Sequence, residues 1–587
     1  MASNTASITT LSNRILASTI TGTVALGNGG TGQTSIAGIQ SALGLAGINV
    51  AIGVSAGTIS QGDRAIAIGS NAGTNTQSAS GIAVGYGAGE YTQGAGAMAY
   101  GYHAGQNSQG INAIAIGSNA GQENQSSYAV AIGETTGKIN QGILAVAIGA
   151  GSGNSNQGFT SLAIGNNAGY SSQGTSAIAL GFNAGQTSQL DQSVAIGTNA
   201  GKANQKEYSV AVGNNAGNIS QNTNSVAIGN GAGYNTQGIG STSSGGAVAI
   251  GANAGNQLQA IGAVAIGASA GQNDQKEYAV AIGYGSGVTS QAGYSVAMGT
   301  NAGSTTQGVA AVAIGYNAGL NSQGTSAIAL GFNAGQTSQL EQSVAIGSSA
   351  GKDNQKEYSV AMGANAGQTT QGSAAVAIGY NAGQTTQSLA AVAIGYNAGK
   401  TSQGLNSIAI GTSAAQNGQG NNAVAIGIAS NSTGNSATAL GASSSAGYEN
   451  STAIGHQATT TAVNTIQLGN TSVTDIKTSG AVNAKSFYLN TTNAVTAASS
   501  TTIDLSLSNI FKVSLGASIS TLSLSNAKTG TYVIQFIQGG TYSVSFPTTW
   551  KWSGGLVPII TTTSGKIDLI TIVYDGSTYF ASAVQNF

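Results

Sequence analysis

The residues that could do acid–base, nucleophilic or metal chemistry are few and scattered along this chain. Its two histidines, His103 and His456, lie far apart, it has no cysteine, and it has 16 acidic residues among 587. Nucleophilic catalysis needs a serine, threonine or cysteine beside an activating base, and the two histidines do not have metal-ligand spacing. A calcium-binding repeat would need an aspartate in a fixed column, which these repeats lack. The sequence therefore predicts no catalytic site, no metal and no cofactor, in a protein that is not an enzyme.

Glutamine is the one polar residue that recurs in a fixed position. It lies eight residues after a repeating glycine in all 23 units of the long repeat, while its neighbours vary. A buried amide must be paired, and stacked glutamines can pair with one another at every level. We therefore interpret this column as a structural amide ladder and not as a ligand site. Its representative members are Gln61, Gln77, Gln93, Gln109, Gln323 and Gln419.

The repeat that carries this column has a period of sixteen residues. Its leading glycine recurs at that spacing from Gly53 to Gly229, takes one step of 22 residues to Gly251, and continues to Gly427. Beyond Gly427 the spacing shortens to fourteen residues, as far as Gly469. A short fixed period with glycine corners and no room for a helix predicts a stack of β-strand coils. The predicted fold class is all-β, with a β-roll or β-solenoid shaft.

The residues ahead of each glycine read A-V-A-I or a close variant, as in Ala247-Val248-Ala249-Ile250. Alternation with period two places valine and isoleucine on one face of a short strand and alanine on the other. We expect valine and isoleucine to fill the coil, and the flat alanine and glycine faces to let several chains pack side by side. This pattern favours a homotrimer, and the periodicity by itself also allows a monomeric solenoid.

Composition restricts the partners of the chain. The formal net charge is −1 and only 5% of the residues are charged, which gives no reason to expect nucleic acid or an acidic membrane as a partner. Residues 1–25 contain no apolar core of signal-peptide length, and no run of about twenty apolar residues occurs. We therefore expect a protein that is made without a signal peptide and is not inserted in a membrane.

Shifts in composition divide the chain into five segments. Residues 1–50 form a head with a glycine loop and a short helix over residues 35–43. Residues 51–427 form the shaft of sixteen-residue coils, and residues 428–469 continue it with fourteen-residue coils. Residues 470–500 form a polar connector, and residues 501–587 form a tip. Short alternating runs with glycine turns predict a small β-sandwich in the tip.

Aromatic side chains in the tip are the candidates for contact with a receptor or glycan, because they bury area at little entropic cost. The candidates are Trp552, Tyr579 and Tyr542. Trp552 beside two glycines and Tyr579 after the Asp-Gly turn are expected to be the exposed ones. Phe536 and Phe546 alternate with polar neighbours and are expected to be buried.

Three stretches carry a resemblance to known proteins. The first contains Gly29-Gly30-Thr31-Gly32 and Leu43-Gly44-Leu45, and it is similar to a segment found near the shafts of bacteriophage tail fibres. The second contains Thr438-Ala439-Leu440-Gly441 and Thr452-Ala453-Ile454-Gly455, and it resembles the fourteen-residue head repeats of trimeric autotransporter adhesins. The third contains Phe546-Pro547, Trp552, Gly554-Gly555, Pro558, Thr563, Gly565, Asp568, Asp575-Gly576 and Phe587. It is similar to the C-terminal domain of many bacteriophage tail fibres.

These resemblances imply a homotrimeric viral tail fibre. Its N-terminal region would attach to a tail or baseplate protein of the virion, and its C-terminal tip would meet a host cell-surface glycan or protein. Such a fibre is made in the host cytoplasm and acts outside the cell. The alternatives are a bacterial surface adhesin, a monomeric ligand- or ice-binding β-solenoid, and a polysaccharide-cleaving tail spike.

Overall fold

In the computed structural model of this protein, residues 49–240, 246–473, 476–477, 479 and 492–587 are described. They form β-strands joined by tight turns, with one short 3-10 turn at Ser553–Gly555. The chain divides into two compact units, Met1–Thr474 and Asp475–Phe587. The predicted helix over residues 35–43 and the glycine loop before it lie outside the described residues.

The first ladder of the N-terminal unit consists of three-residue strands that end just before the leading glycine. In the described part of the chain this sheet has 27 strands, from Val50–Ile52 to Ile466–Leu468. Consecutive strands begin sixteen residues apart up to Val226, and again from Val248 to Val424, after which the spacing is fourteen. All pairings are parallel and in register, so that each side chain lies on its equivalent in the next coil.

The second ladder runs along the other side of the coils, and every one of its strands contains the glutamine. Its strands have three residues, from Ile59–Gln61 to Asp353–Gln355, and single bridges replace a strand at Gln93 and Gln403. The strands of other lengths are Asn235–Ile239, Gln257–Ala260, Thr370–Gln371 and Thr386–Gln387. Two parallel ladders joined by turns define a β-solenoid of about 28 coils, which confirms the predicted fold class.

The interior of the solenoid is lined by alanine, and the prediction that valine and isoleucine fill it is wrong. Ala313 and Ala318 are fully buried, whereas Ile314, the neighbour of Ala313 on its strand, is 40% exposed. Two features leave room for a methyl group only: the glutamine side chain crosses the coil, and an added Cβ at Gly319 would lie 3.2 Å from the Cβ of Ala313. The larger side chains therefore project outward, along one face of the shaft.

Two glycine columns are required by the geometry of the coil. Gly315, in the leading column, has a φ of 130°, and a Cβ there would lie 2.6 Å from the carbonyl oxygen of Gly331 in the next coil. Gly319, in the second column, has a φ of 53°, and its Cβ would lie 2.8 Å from Oε1 of Gln323. Both positions therefore combine left-handed backbone with close approach, which glycine alone accommodates.

The coils become smaller where the period changes to fourteen residues. Nε2 of Gln419 donates to Oγ of Ser432, 3.1 Å away, and not to another glutamine. Bridges in this region join Asn431 to Ser445 and Ser445 to Thr459. Short side chains such as those of serine and threonine thus take the interior position of glutamine in the fourteen-residue coils. The narrower cross-section of these coils has no space for the glutamine amide.

The C-terminal unit contains two sheets around one core. In residues 492–587 the larger sheet pairs Thr492–Thr496, Ile510–Leu515, Gly530–Gln538, Ile567–Tyr574, Tyr579–Val584 and Lys551–Trp552, in that order. The smaller sheet pairs Ser500–Asp504 with Thr521–Ser525. The chain alternates between the two sheets with parallel pairing over its first five strands, and then forms an antiparallel hairpin. Phe511, Phe536 and Ile570 lie in the shared core.

We predict that Gly315→Ala destabilises the shaft by at least about 2 kcal/mol, because the side chain is both strained at positive φ and in contact with backbone of the next coil. The control is Gly447→Ala, where φ is ordinary and the added Cβ would have Thr433 Oγ1 at 3.6 Å. Thermal unfolding followed by circular dichroism measures both. Equal midpoints for the two variants would contradict the steric account of the leading column.

Candidate functional site: the amide ladder and the C-terminal aromatic cluster

The repeated geometry of each sixteen-residue coil centres on one glutamine amide. Nε2 of Gln323 donates to the carbonyl oxygen of Val312 at 2.8 Å, to that of Ala327 at 3.2 Å, and to Oε1 of Gln339 at 3.1 Å. The first of these bonds crosses the coil from the second ladder to the first. One side chain thus fastens both ladders of its own coil and joins that coil to the next.

The structure places the representative glutamines in this arrangement, except that Gln419 donates to Ser432 in place of another glutamine. Gln77 and Gln93 are fully buried and bonded in sequence, each Nε2 to the next Oε1, and Gln61 at the first coil is half-buried and donates to Gln77. The column is neutral throughout, so it has no proton to exchange and no charge for a ligand. Its chemistry is that of stacked amides in a β-structure.

The ladder is interrupted at three points. Oε1 of Gln205, Gln355 and Gln419 is buried and has no hydrogen-bond donor. Gln205 and Gln355 follow the two copies of an identical segment, residues 172–190 and 322–340. The internal interruptions therefore belong to the duplicated segment, and each leaves one unpaired acceptor in the interior.

The outer surface of the coils carries short stacks of aromatic rings. Tyr316 and Phe332, which follow consecutive leading glycines, stack with ring centroids 5.4 Å apart, and Tyr380 and Tyr396 do the same. Tyr102 contacts His103 edge-on, at 4.1 Å between ring centroids. The four stacked rings are about half exposed, and they stack because equivalent positions of neighbouring coils lie in register.

The aromatic cluster of the C-terminal unit contains two of the three receptor candidates. Trp552 lies 4.9 Å from Phe546 between ring centroids, and Tyr579 stacks on Tyr574 at 4.3 Å. Both candidates pack against the core and are half-buried, so the expectation that they are exposed is wrong. The reason is that Lys551–Trp552 pairs with Tyr579–Val584 as a further strand of the sheet, and this pairing places both rings against the core.

Burial raises the pKa of the Tyr579 hydroxyl, and the neighbouring Tyr574 and Tyr532 raise it further. The third candidate, Tyr542, is also half-buried against the core, and its carbonyl oxygen accepts a bond from Nε2 of Gln538 at 2.7 Å. All three candidates thus help to hold the unit together, and none of them is a freely presented ring.

Aliphatic residues that were not singled out from the sequence are the most exposed apolar groups of this unit. Leu556 is 82% exposed and Ile559 is 86% exposed, on either side of Pro558. The sequence indicates their exposure through the run Leu556-Val557-Pro558-Ile559-Ile560, which follows two glycines. In this run the apolar residues do not alternate with polar ones. A run without alternation and interrupted by proline is typical of a loop.

The described residues contain no group of three or more histidine, cysteine, aspartate or glutamate side chains placed to hold a metal ion. No helix in the same part of the chain is long and apolar enough to cross a membrane.

A family model described as "YadA head domain repeat (2 copies)" matches four segments of the solenoid. The matched residues are 191–216, 275–302, 419–444 and 449–472. They include sixteen-residue and fourteen-residue coils alike, so the similarity to adhesin head repeats covers both kinds of coil. No curated protein matches the chain.

We predict that Gln259→Leu lowers the stability of the shaft by about 2–4 kcal/mol, because it leaves buried amide and carbonyl groups without partners. Gln259 donates to Val248, Ala263 and Gln275 and accepts from Gln237. The control is the same change in the same coil, Gln257→Leu, at an exposed position. Hydrogen exchange and thermal unfolding are the measurements, and a Gln257→Leu effect as large as that of Gln259→Leu would refute the role of the ladder.

Proposed function

We propose that this protein is a fibre whose β-solenoid is a rigid spacer and whose ends provide attachment and adhesion. The observation that carries the proposal is the solenoid itself, with its similarity to adhesin head repeats in four segments. Its 27 stacked strands, at about 4.8 Å each, give a shaft on the order of 125 Å long. The register of both ladders and the amide column make such a shaft stiff, which suits it to hold a binding surface away from its base.

The working form of this fibre is a homotrimer. The outward valine and isoleucine column supports this assembly, because it lines one side of most coils, with Ile250, Ile266 and Ile314 between 36% and 40% exposed. A continuous apolar stripe of this length is larger than a soluble monomer leaves in water. Side-by-side copies would cover it, and the similarity to YadA head repeats points to the same assembly.

The particular fibre that we propose is a viral tail fibre. The sequence similarities of the N-terminal segment and of residues 501–587 to bacteriophage fibres support this assignment. In this role the N-terminal region joins the tail or baseplate and the C-terminal unit contacts a host cell-surface glycan or protein. Three copies on one shaft raise avidity without new contacts. The protein would then be made in the host cytoplasm and act as part of the virion.

A bacterial surface adhesin is the second candidate. The match to the YadA head repeat favours it directly, since that match lies in the coils and does not depend on either end of the chain. The same shaft and the same trimer would serve a viral tail fibre and a bacterial adhesin. The two candidates differ in the carrier of the fibre, which is a virus particle in the first and a bacterial cell surface in the second.

The trimer is tested by its native mass. We predict a mass near three times the chain mass of 56.9 kDa by light scattering. The double variant Ile266→Lys, Ile314→Lys places charges on the apolar stripe and should lower the mass to that of one chain. The control Ala252→Lys, Tyr284→Lys adds the same charges at exposed positions after the leading glycine and should retain the trimer. A wild-type mass of one chain would refute the homotrimer.

The carrier of the fibre is tested by immunogold electron microscopy with antibodies against the full chain. We expect gold on the tails of phage particles released by lysis of the producing cells. Gold on the surface of intact, unlysed cells, with unlabelled particles, would overturn the viral assignment in favour of the bacterial adhesin.

A further inference from the structure

Two aromatic stacks on the outer surface of the shaft face each other across a gap. Phe332 ends the first stack and Tyr380 begins the second, and within each stack the ring planes are 10° apart. Because each pair stacks along the shaft, the free faces of these two rings are turned toward each other. Ser348 and Ala364 take the same position in the two coils between them. We call this gap, three coils or about 14 Å long, the aromatic notch.

The floor of the aromatic notch carries hydrogen-bonding groups without partners. Beside the aromatic column runs a ladder of asparagines, in which Nδ2 of Asn317 donates to Oδ1 of Asn333 at 3.2 Å. The ladder resumes where Nδ2 of Asn365 donates to Oδ1 of Asn381 at 3.1 Å. Ser349 takes this position in the coil between, and the ladder is broken there. Among the described residues, Nδ2 of Asn333 and Oδ1 of Asn365 therefore have no hydrogen-bond partner.

We propose that the aromatic notch binds two sugar rings of a cell-surface glycan, one against each aromatic face. Rings at the positions of Ser348 and Ala364 would continue the stack at the coil spacing of about 4.8 Å. A pyranose ring presents C–H groups on its faces, and the electron-rich face of an aromatic ring attracts them. Its hydroxyls would accept from Asn333 and donate to Asn365.

The spacing and the polar floor favour a glycan over other ligands. Flat aromatic rings approach to about 3.5 Å, so two of them would fill the notch incompletely, whereas a chair-shaped sugar ring is thicker. An apolar protein side chain would bury the unpaired amide groups without replacing their bonds to water. Nucleic acid needs basic side chains for its phosphates, and the residues of the notch carry no charge.

This binding site lies in the shaft, away from the two ends that provide attachment and adhesion in the proposed fibre. It is therefore a further binding function, and it holds for a shaft of one chain as well as of three. In a homotrimer the notch would be present three times, which would raise the avidity for a surface that repeats the same glycan.

Two double variants of the full chain test the site in opposite ways. Ser348→Tyr with Ala364→Tyr fills the notch with rings that the shaft already accommodates at Tyr380. Phe332→Ala with Tyr380→Ala removes both walls, and these rings are 53% and 48% exposed. All of these side chains lie on the outside of the coil, so we expect the thermal unfolding midpoint to stay close to that of the unmodified chain.

The matched control is Asn214→Tyr with Asn230→Tyr. These residues take the same position in two consecutive coils, are exposed, and have Thr198 and Ala252 as neighbours in the column in place of aromatic rings. Each protein is applied at equal concentration to an array of immobilised neutral and acidic oligosaccharides. Circular dichroism of the same samples verifies that the shaft is folded.

The expected result is that the unmodified chain and the control bind the same glycan, and that filling the notch or removing its walls weakens this binding at least tenfold. Binding that survives in both notch variants would overturn the site and leave adhesion by the C-terminal unit standing. Failure of the unmodified chain to bind any glycan of the array would also overturn it. An equal loss in the control would show that the notch is not the origin of the binding.

Discussion

The narrow cross-section of the coil is the constraint on which the rest of the shaft depends. Within one coil, a Cβ added at Gly319 would lie 2.8 Å from Oε1 of Gln323 and 3.2 Å from the Cβ of Ala313. The interior therefore holds one glutamine side chain and a few methyl groups. Everything else follows from this: the buried polar column must pair with itself, and the larger apolar side chains must face outward.

The outward apolar stripe connects stability to assembly. In a globular domain the largest apolar side chains form the core, and the surface is polar. Here the core consists of alanine, glycine and glutamine, and isoleucine and valine lie at the surface of one chain. The C-terminal unit differs from the solenoid, because its core consists of large apolar side chains such as Phe511 and Phe536. In the solenoid the folded chain therefore leaves large apolar side chains partly in water, and the proposed homotrimer would cover them.

Much of the fold could be predicted from the sequence because the repeat is strict. The period, the glycine corners and the glutamine column specify a stack of coils with little ambiguity. What could not be predicted was which face of V-A-I points inward, because alternation defines two faces without saying which is the core. The positions of Gly319 and Gln323 decide it, since together they leave space for alanine alone, and that is a three-dimensional fact.

The aromatic residues of the C-terminal unit also show what the sequence pattern could not predict. Phe536 and Phe546 are buried, as their alternation predicts. Trp552 and Tyr579 lie beside turns and were therefore expected in solvent. A two-residue strand, Lys551–Trp552, pairs with the last strand and brings both rings against the core. Such a short strand leaves no periodic signal, so only the folded chain reveals it.

A cross-section of the shaft by electron cryomicroscopy tests the central claim most directly. The account predicts three coils around one axis, stacked at about 4.8 Å, with the valine and isoleucine stripe turned toward the neighbouring chains. A profile of one coil, or three coils that leave the stripe facing solvent, would contradict it.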